Sequence, residues 1–225
     1  MKISILTLFP EMFHGPFKYS IVKRAVDKKL VEIDLINIRD FGIGRHKVVD
    51  DKPYGGGLGM ILRVDVLEKA VNSCKNKNVS FKNKKVILLD PRGKTFNQQM
   101  AKEFSKLEHL ILVCGHYEAV DNRIDYFIDE KISVGDFIVT GGEIPAMIIT
   151  DATARLIKGI LKPEVTNAES FSPFLEYPQY TRPRVYKNYS VPNILLSGDH
   201  KKIGEWQKAI ALEYTRKQRP DLLGK

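Results

Sequence analysis

Short apolar runs alternate along the chain with segments whose apolar residues recur at helical spacing. The runs at 86–89 and 110–114 are continuous and aliphatic, which is typical of strands buried on both faces. The predicted strands are 2–9, 31–38, 86–89 and 110–114, and the predicted helices are 17–29, 64–75, 97–107 and 143–157. Because strands alternate with helices, the pattern predicts an α/β fold with a mostly parallel sheet covered on both sides.

Two segments interrupt this alternation and divide the chain. The stretch 42–59 is rich in glycine, and long loops of this kind within compact domains are usually functional or mobile. The stretch 158–180 contains three prolines among polar residues, which is typical of an interdomain linker. Beyond it, 199–217 has the spacing of one amphipathic helix. We expect a first domain over 1–159, a flexible linker over 160–175 and a small α-helical C-terminal domain over 176–225.

The charge distribution indicates a polyanionic partner. The 225 residues carry a net charge of +9. The last 50 residues hold ten Lys and Arg against five Asp and Glu, so more than half of the excess lies there. Such a basic segment favours nucleic acid, and a lysine-rich solvated surface is the alternative.

Apolar run lengths and cysteine content predict a cytoplasmic protein. No apolar run approaches the roughly 18 residues that span a bilayer, so no membrane association is expected. The first residues have too short an apolar stretch for a signal peptide and predict a buried strand. Cys74 and Cys114 are far apart, which suits a reducing compartment and argues against a disulfide framework or a cysteine-based metal site.

Two apolar runs, 110–114 and 137–139, lead into glycines, as strand ends do in many binding sites. A glycine at a strand end lets the backbone approach a ligand closely because no Cβ intervenes. The sequence contains neither Gly-x-x-x-x-Gly-Lys-Ser/Thr nor a helix-opening Gly-x-Gly-x-x-Gly. The pattern predicts a small, flat ligand held by main-chain hydrogen bonds. The alternative is a set of tight turns in which Gly141 and Gly142 serve as a hinge.

Five long motifs occur in order along the chain. They are Leu-Phe-Pro-Glu-Met-Phe (8–13), Val-Asp-Asp-Lys-Pro-Tyr-Gly-Gly-Gly-Leu-Gly-Met (49–60), Leu-Val-Cys-Gly-His-Tyr-Glu (112–118), Val-Gly-Asp-Phe-Ile-Val-Thr-Gly-Gly-Glu-Ile-Pro-Ala (134–146) and Tyr-Thr-Arg-Pro (180–183). With them the whole chain resembles the bacterial tRNA (guanine-N1)-methyltransferases. The resemblance implies a SPOUT fold with a deep trefoil knot at the cofactor site, and a homodimer. It also implies methyl transfer from S-adenosylmethionine to N1 of the guanosine just 3′ of the anticodon in tRNA.

The resemblance assigns the glycine corners to this cofactor. It places Leu88, Leu89, Asp90 and Pro91 at the end of one knot strand, Gly115, Tyr117 and Glu118 at a second corner, and Val134, Gly135, Phe137, Val139, Gly141, Gly142 and Pro145 at a third. An adenine needs backbone hydrogen bonds and apolar walls, which these segments offer. The resemblance also implies Mg²⁺, although the sequence shows no carboxylate cage and its histidines have no metal-ligand spacing.

Methylation at N1 of guanine needs a general base and a cation, because N1 is protonated at neutral pH and negative charge then develops on O6. The resemblance implies that Arg155 is this cation. The alternative is that Arg155 only pairs with Asp151 at i,i+4 spacing on a helix. The family base is an aspartate before Ser-Phe, where this chain has Glu169. Glutamate has a similar ordinary pKa and one more methylene, which the slightly shorter linker would offset. We therefore expect Glu169 to act as the base.

Five further positions are expected to bind the tRNA. The resemblance places His46, Asp50 and Gly59 in a loop that reaches towards the target nucleotide, and Arg182 and Gly198 near the contact with the anticodon arm. The alternative for His46 is an exposed loop histidine. The alternative for 197–199 is a helix start, because Ser197 and Asp199 are both good N-caps.

Two other functions fit the same motifs. One is a different SPOUT activity such as ribose 2′-O-methylation, which needs no base beside a ring nitrogen and would make Glu169 dispensable. The other is an RNA-binding relative that has lost catalysis, which only the replacement of aspartate by glutamate favours.

Overall fold

A computed structural model describes residues 1–75 and 83–224. The chain divides into two units, Met1–Leu161 and Lys162–Lys225, and each is described by itself. The three-part division into 1–159, 160–175 and 176–225 stays a prediction.

The first unit contains eight strands and four α-helices among its described residues. The strands are β1 (Lys2–Thr7), β2 (Glu32–Asn37), β3 (Asp50–Asp51), β4 (Ile61–Leu62), β5 (Lys84–Thr95), β6 (His109–Cys114), β7 (Ala119–Val120) and β8 (Glu130–Ser133). The helices are α1 (Ser20–Asp27), α2 (Val64–Cys74), α3 (Gln98–Phe104) and α4 (Glu143–Ala154). Short 3₁₀ helices cover Pro10–Phe13, Pro16–Lys18, Ile38–Phe41 and Asn122–Tyr126.

Five strands form the central sheet in the order β2-β1-β6-β5-β8, and every neighbouring pair is parallel. Alternate residues of each strand enter two different cores: Leu112 lies in one, and Ile111 and Val113 in the other. Helices α1, α3 and α4 contribute to the first core and α2 to the second. Burial on both faces explains the continuous apolar runs, and the predicted α/β fold with a mostly parallel sheet is confirmed.

Two of the segments that contain predicted cofactor residues differ from the sequence prediction. Strand β5 does not end at Leu89 but runs on to Thr95, with a shift in its register against β8 between Leu89 and Lys94. The apolar run 137–139 is not a strand end before glycine, as the sequence suggested, because these residues form no strand and Phe137 and Ile138 are exposed. β8 ends at Ser133, and the apolar run lies beyond that end.

In the first unit, a small sheet of β3, β4 and β7 contains residues 50–51 of the glycine-rich loop and residues 61–62 that follow it. Asp50 pairs with Leu62, and Ile61 pairs with Ala119 just after the second glycine corner. The loop is therefore attached beside that corner at its C-terminal end.

The second unit contains α5 (Pro163–Ala168), β9 (Val185–Tyr186), β10 (Tyr189–Ser190) and α6 (His200–Gln218), with 3₁₀ helices at Asn193–Leu196 and Pro220–Leu222. The side chain of Asp199 accepts a 3.1 Å hydrogen bond from the Lys202 amide, so it is the N-cap of α6. The buried Thr215 hydroxyl accepts from the Leu175 amide at 2.9 Å and thereby attaches the segment after α5 to this helix. Helix α5 lies inside the stretch that the sequence predicted to be a flexible linker.

Candidate cofactor site

A cavity of about 430 Å³ lies in the first unit, where the chain leaves β6 and β8 and passes the register shift of β5. Its lining comes from three segments, 89–92, 115–120 and 132–142, together with Pro145. All of the predicted cofactor residues except Leu88 and Gly135 line it. The structure thus brings together three segments that are far apart in sequence, at the carboxyl edge of the sheet where α/β folds bind ligands.

Leu88 and Gly135 lie outside the cavity for different reasons. Leu88 is fully buried in the core on the opposite face of the sheet from Leu89. Gly135 lies under Phe137, because a Cβ on it would be 2.5 Å from the ring. Both residues support the lining and do not belong to it.

The glycine corners are required for close packing between two loops. The Gly142 amide donates a 2.8 Å hydrogen bond to the Gly115 carbonyl. A Cβ on Gly142 would lie 2.6 Å from the Cys114 Cα, although its φ is an ordinary −74°. Any other residue would therefore push the two corners apart, and Gly142 is not needed for a left-handed turn.

A buried carboxyl group supports this contact from below. Glu143, the first residue of α4, is 2% exposed, and its Oε1 accepts a 2.7 Å hydrogen bond from the Thr7 hydroxyl. Its Oε2 lies 3.9 Å from Nδ1 of His116, whose ring meets Phe9 edge-on with centroids 5.0 Å apart. No role was predicted for any of these four residues from the sequence. The sequence offered two indications only. Thr7 is a polar residue in the apolar first strand, and Glu143 is a polar residue just before an apolar helical segment.

Two charged side chains of the lining neutralise each other. Asp90 accepts hydrogen bonds from Arg92 through Nη2 at 2.7 Å, Nε at 2.9 Å and the backbone amide at 2.8 Å. The Arg92 hydrogen bonds hold the pKa of Asp90 below its usual value, and partial burial opposes them. Asp90 is therefore ionised, and its carboxylate is already bound by Arg92.

Tyr117 and Glu118 occupy the corner between the cavity and the glycine-rich loop. Tyr117 has φ of +60°, a conformation that costs a non-glycine residue energy and is often found at binding sites. A Cβ on Gly59 would overlap the side chain of Glu118, and the Glu118 amide donates to the Met60 carbonyl at 3.2 Å. The structure thus places Gly59 against Glu118 of the lining, whereas Asp50 lies on β3 and His46 is exposed in a turn.

Cys114 ends β6 directly behind this corner. The side chain is fully buried, and burial raises the pKa of its thiol well above the usual value. A thiol held in its neutral form is a poor nucleophile. The site therefore offers no activated cysteine at this position.

The two predicted catalytic residues lie in different units. Arg155 caps α4, its amide donating to the Asp151 carbonyl at 3.2 Å. Glu169 follows α5 with an extended backbone. The next residues form a tight turn, in which the Glu176 amide donates to Ser170 Oγ at 3.0 Å and the Phe171 amide to the Phe174 carbonyl at 2.8 Å. This turn fixes the backbone on the C-terminal side of Glu169.

The remaining predicted RNA contacts lie in the second unit. Arg182 is exposed and lines a groove beside β9 and β10. Gly198 has φ of +74°, so the turn into α6 by itself accounts for a glycine there.

Within residues 1–75 and 83–224, no three His, Cys, Asp or Glu side chains form a group that could hold a metal ion. No helix in the same part of the chain is long and apolar enough to cross a membrane.

A parallel sheet with a partly apolar cavity at its carboxyl edge, walled by glycine corners, is the arrangement in which α/β proteins usually bind a small-molecule cofactor or substrate. The family model for tRNA (Guanine-1)-methyltransferase TrmD matches residues 1–225. The chain belongs to this family of methyltransferases.

Individual relatives match almost all of this chain and most of their own length. A tRNA (guanine-N(1)-)-methyltransferase of Carboxydothermus hydrogenoformans is 54% identical over 99% of this chain and 87% of its own. The protein of the same name from Dictyoglomus turgidum is 52% identical over 100% and 91%. That of Endomicrobium trichonymphae is 45% identical over 100% of both chains. These similarities do not favour ribose methylation or an inactive relative.

Proposed function

We propose that the protein methylates N1 of the guanosine immediately 3′ of the anticodon in tRNA, with S-adenosylmethionine as the methyl donor. The observation that carries this proposal is the convergence of three predicted cofactor segments on one cavity. The family relationship supports the tRNA substrate and the guanine N1 position.

The lining fits the proposed cofactor. The cavity of about 430 Å³ lies within the range of roughly 300–1,000 Å³ that is usual for ligand pockets. Gly115 and Gly141 expose backbone for an adenine, and Ile132, Val134 and Pro145 provide apolar walls. Because Asp90 is paired with Arg92, the carboxylate of Glu118 gives the lining an acidic balance, which suits a sulfonium cation. When bound, S-adenosylmethionine would supply an electrophilic methyl group.

The chain's own residues would prepare the guanine. Glu169 accepts the N1 proton, and the guanidinium of Arg155 stabilises the negative charge on O6. Deprotonated N1 would then be the nucleophile for the methyl group that bound S-adenosylmethionine would supply, and the cofactor's sulfur would leave as a neutral thioether. The neutral, buried thiol of Cys114 supports a transfer without a covalent enzyme intermediate.

Several features of the family are part of the same proposal. We infer from the family relationship that the cofactor segments are tied in a trefoil knot. We also infer a homodimer in which the cofactor of one protomer faces the linker of the other. Two free cysteines and a tRNA substrate fit the cytoplasm. The described residues offer no protein cage for Mg²⁺, so no step is assigned to the ion.

Replacement of the proposed base tests the mechanism. Glu169→Gln keeps the size of the side chain but removes its ability to accept the N1 proton. Glu164→Gln, at an exposed position of α5 in the same unit, is the matched control. We expect Glu169→Gln to lose about 100-fold or more of the single-turnover rate, with cofactor affinity unchanged and Glu164→Gln like wild type. A Glu169→Gln rate close to wild type would refute the role of Glu169.

A further inference from the structure

The second unit carries a hairpin whose aromatic residues face solvent. Strands β9 and β10 are joined by a two-residue turn, Lys187–Asn188, and Tyr186 lies directly opposite Tyr189. The two side chains are 62% and 79% exposed. A cross-strand tyrosine pair normally contributes to a core or an interface, and here most of the surface of both residues faces solvent.

The hairpin register places cations on the same face as this pair. The Val191 amide donates to the Arg184 carbonyl at 2.9 Å, which extends the ladder by one further pair. Because side chains alternate along a strand, Arg184 projects on the same face as Tyr186. The ammonium group of Lys187 lies 5.6 Å from the centroid of the Tyr186 ring. A groove of about 430 Å³ follows this face, and Tyr180 and Arg182 also line it.

The charge of the hairpin region is uncompensated. Residues 180–191 contain Arg182, Arg184 and Lys187 and no Asp or Glu. Neither arginine forms an ion pair with any described residue of the chain. Sites for single-stranded nucleic acid combine exposed aromatic rings, on which bases stack, with Arg and Lys side chains, which contact phosphates. The hairpin region has both components.

We propose that Tyr186 and Tyr189 form a stacking platform for an unpaired base of the tRNA, with Arg184 and Arg182 contacting the adjacent phosphates. Unpaired bases expose a π-face that is covered in a base-paired helix. We therefore expect the platform to bind a base in a loop of the RNA. A second copy of this face is disfavoured as the occupant, because two surfaces of the same positive charge repel each other. The identity of the RNA rests on the proposed function, and the stacking chemistry rests on the hairpin itself.

Equilibrium binding of the full-length protein to a tRNA transcript tests the platform. The double variant Tyr186→Leu/Tyr189→Leu removes both rings and keeps apolar side chains on the hairpin. Tyr186→Phe/Tyr189→Phe keeps the rings and controls for loss of the hydroxyl groups. Tyr126→Leu, at a position that is 86% exposed in the first unit, controls for loss of an exposed ring elsewhere.

We expect about 10-fold weaker binding for the leucine double variant and wild-type binding for the other two. The slope of log Kd against log salt should not change in the leucine variant, because stacking releases no counterions. Arg184→Gln should instead reduce that slope by about one unit. An excess of an unpaired oligonucleotide should compete with the tRNA for wild type better than a duplex of equal length does.

Two results would overturn the platform. One is an affinity of the leucine variant within twofold of wild type. The other is a loss of affinity that the phenylalanine variant shares, which would assign the effect to the hydroxyl groups, or one that accompanies a changed oligomeric state in sedimentation, which would assign the tyrosines to contact between copies. Methylation by the wild type is measured separately. Its failure would refute the proposed function, and the binding comparison would still decide on the platform.

Discussion

The hydroxyl of Thr7 donates a 2.7 Å hydrogen bond to Oε1 of Glu143, and both residues are buried. The contact joins the end of β1 to the start of α4, 136 residues apart in sequence. Since Glu143 directly follows the Gly141–Gly142 corner, this hydrogen bond holds the corner against the sheet. The precision of the cavity wall thus depends on a polar pair beneath it.

Removal of the Thr7 hydroxyl should destabilise the first unit. Thr7→Val preserves the shape of the side chain but leaves the buried Glu143 without its donor, and the Phe9 amide loses its acceptor at 2.9 Å. We expect a loss of about 1–3 kcal/mol in the free energy of unfolding. Urea denaturation followed by far-UV circular dichroism measures it.

The control for this prediction is Thr181→Val, at an exposed position, which should change stability by less than about 0.5 kcal/mol. Fluorescence of Trp206, the single tryptophan, reports the second unit in the same samples. Equal stability of Thr7→Val and wild type would show that the buried pair contributes nothing.

A methyl group on Gly142 should disturb the cofactor site. Its Cβ would lie 2.6 Å from the Cys114 Cα and 2.9 Å from the Gly115 nitrogen, so the two corners must separate. Overpacking of this kind costs about 1–3 kcal/mol, and we expect S-adenosylmethionine to bind at least about 10-fold more weakly to Gly142→Ala. Isothermal titration calorimetry with the cofactor measures the change.

Gly204→Ala is the matched control for the added methyl group. Gly204 lies within α6, and a Cβ there would meet nothing within 4 Å. The change should leave cofactor affinity intact and raise helix stability by about 0.5–1 kcal/mol. Unaltered cofactor affinity in Gly142→Ala would contradict the packing role of the corner.

The buried His109 should make stability depend on pH. Its Nε2 lies 2.9 Å from Ser4 Oγ, and burial, with the charges of Lys2 and Lys84, lowers its pKa from the ordinary value of 6.5. The unfolded chain therefore takes up a proton near pH 6.5, whereas the folded chain does so only at lower pH. The free energy of unfolding should fall as the pH drops from 6.5 towards the lower folded pKa.

Denaturation curves at pH 7.5, 6.5, 5.5 and 5.0 would test this dependence, a range chosen around the ordinary histidine pKa of roughly 6.5. His109→Gln should flatten the decline below pH 6.5 relative to wild type, whatever its effect on stability at neutral pH. Parallel curves for the two proteins would exclude His109 as the source.

The sequence predicted the parts of the fold that depend on local pattern. Continuous aliphatic runs indicated β5 and β6 because burial on both faces leaves no polar alternation. The same reasoning failed at 137–139, since an apolar run does not reveal whether a neighbouring strand is available to pair with it. The extension of β5 to Thr95 was missed because it depends on pairing with β8 across a register shift.

The candidate site shows the same limit. Glycines and motif similarity indicated twelve of the twenty residues that line the cavity. Glu143 and Thr7 were missed, because a buried hydrogen bond between residues 136 positions apart has no local signature. The hairpin of β9 and β10 was missed because two-residue strands are too short for a periodic pattern.

The most direct measurement is methyl transfer from labelled S-adenosylmethionine to two tRNA transcripts that differ only in the nucleotide just 3′ of the anticodon, guanosine or adenosine. Product analysis after nuclease digestion identifies the methylated atom. Labelled N1-methylguanosine from the guanosine transcript alone is the predicted result. Equal labelling of both transcripts, label on a ribose, or cofactor binding without transfer to either would contradict it.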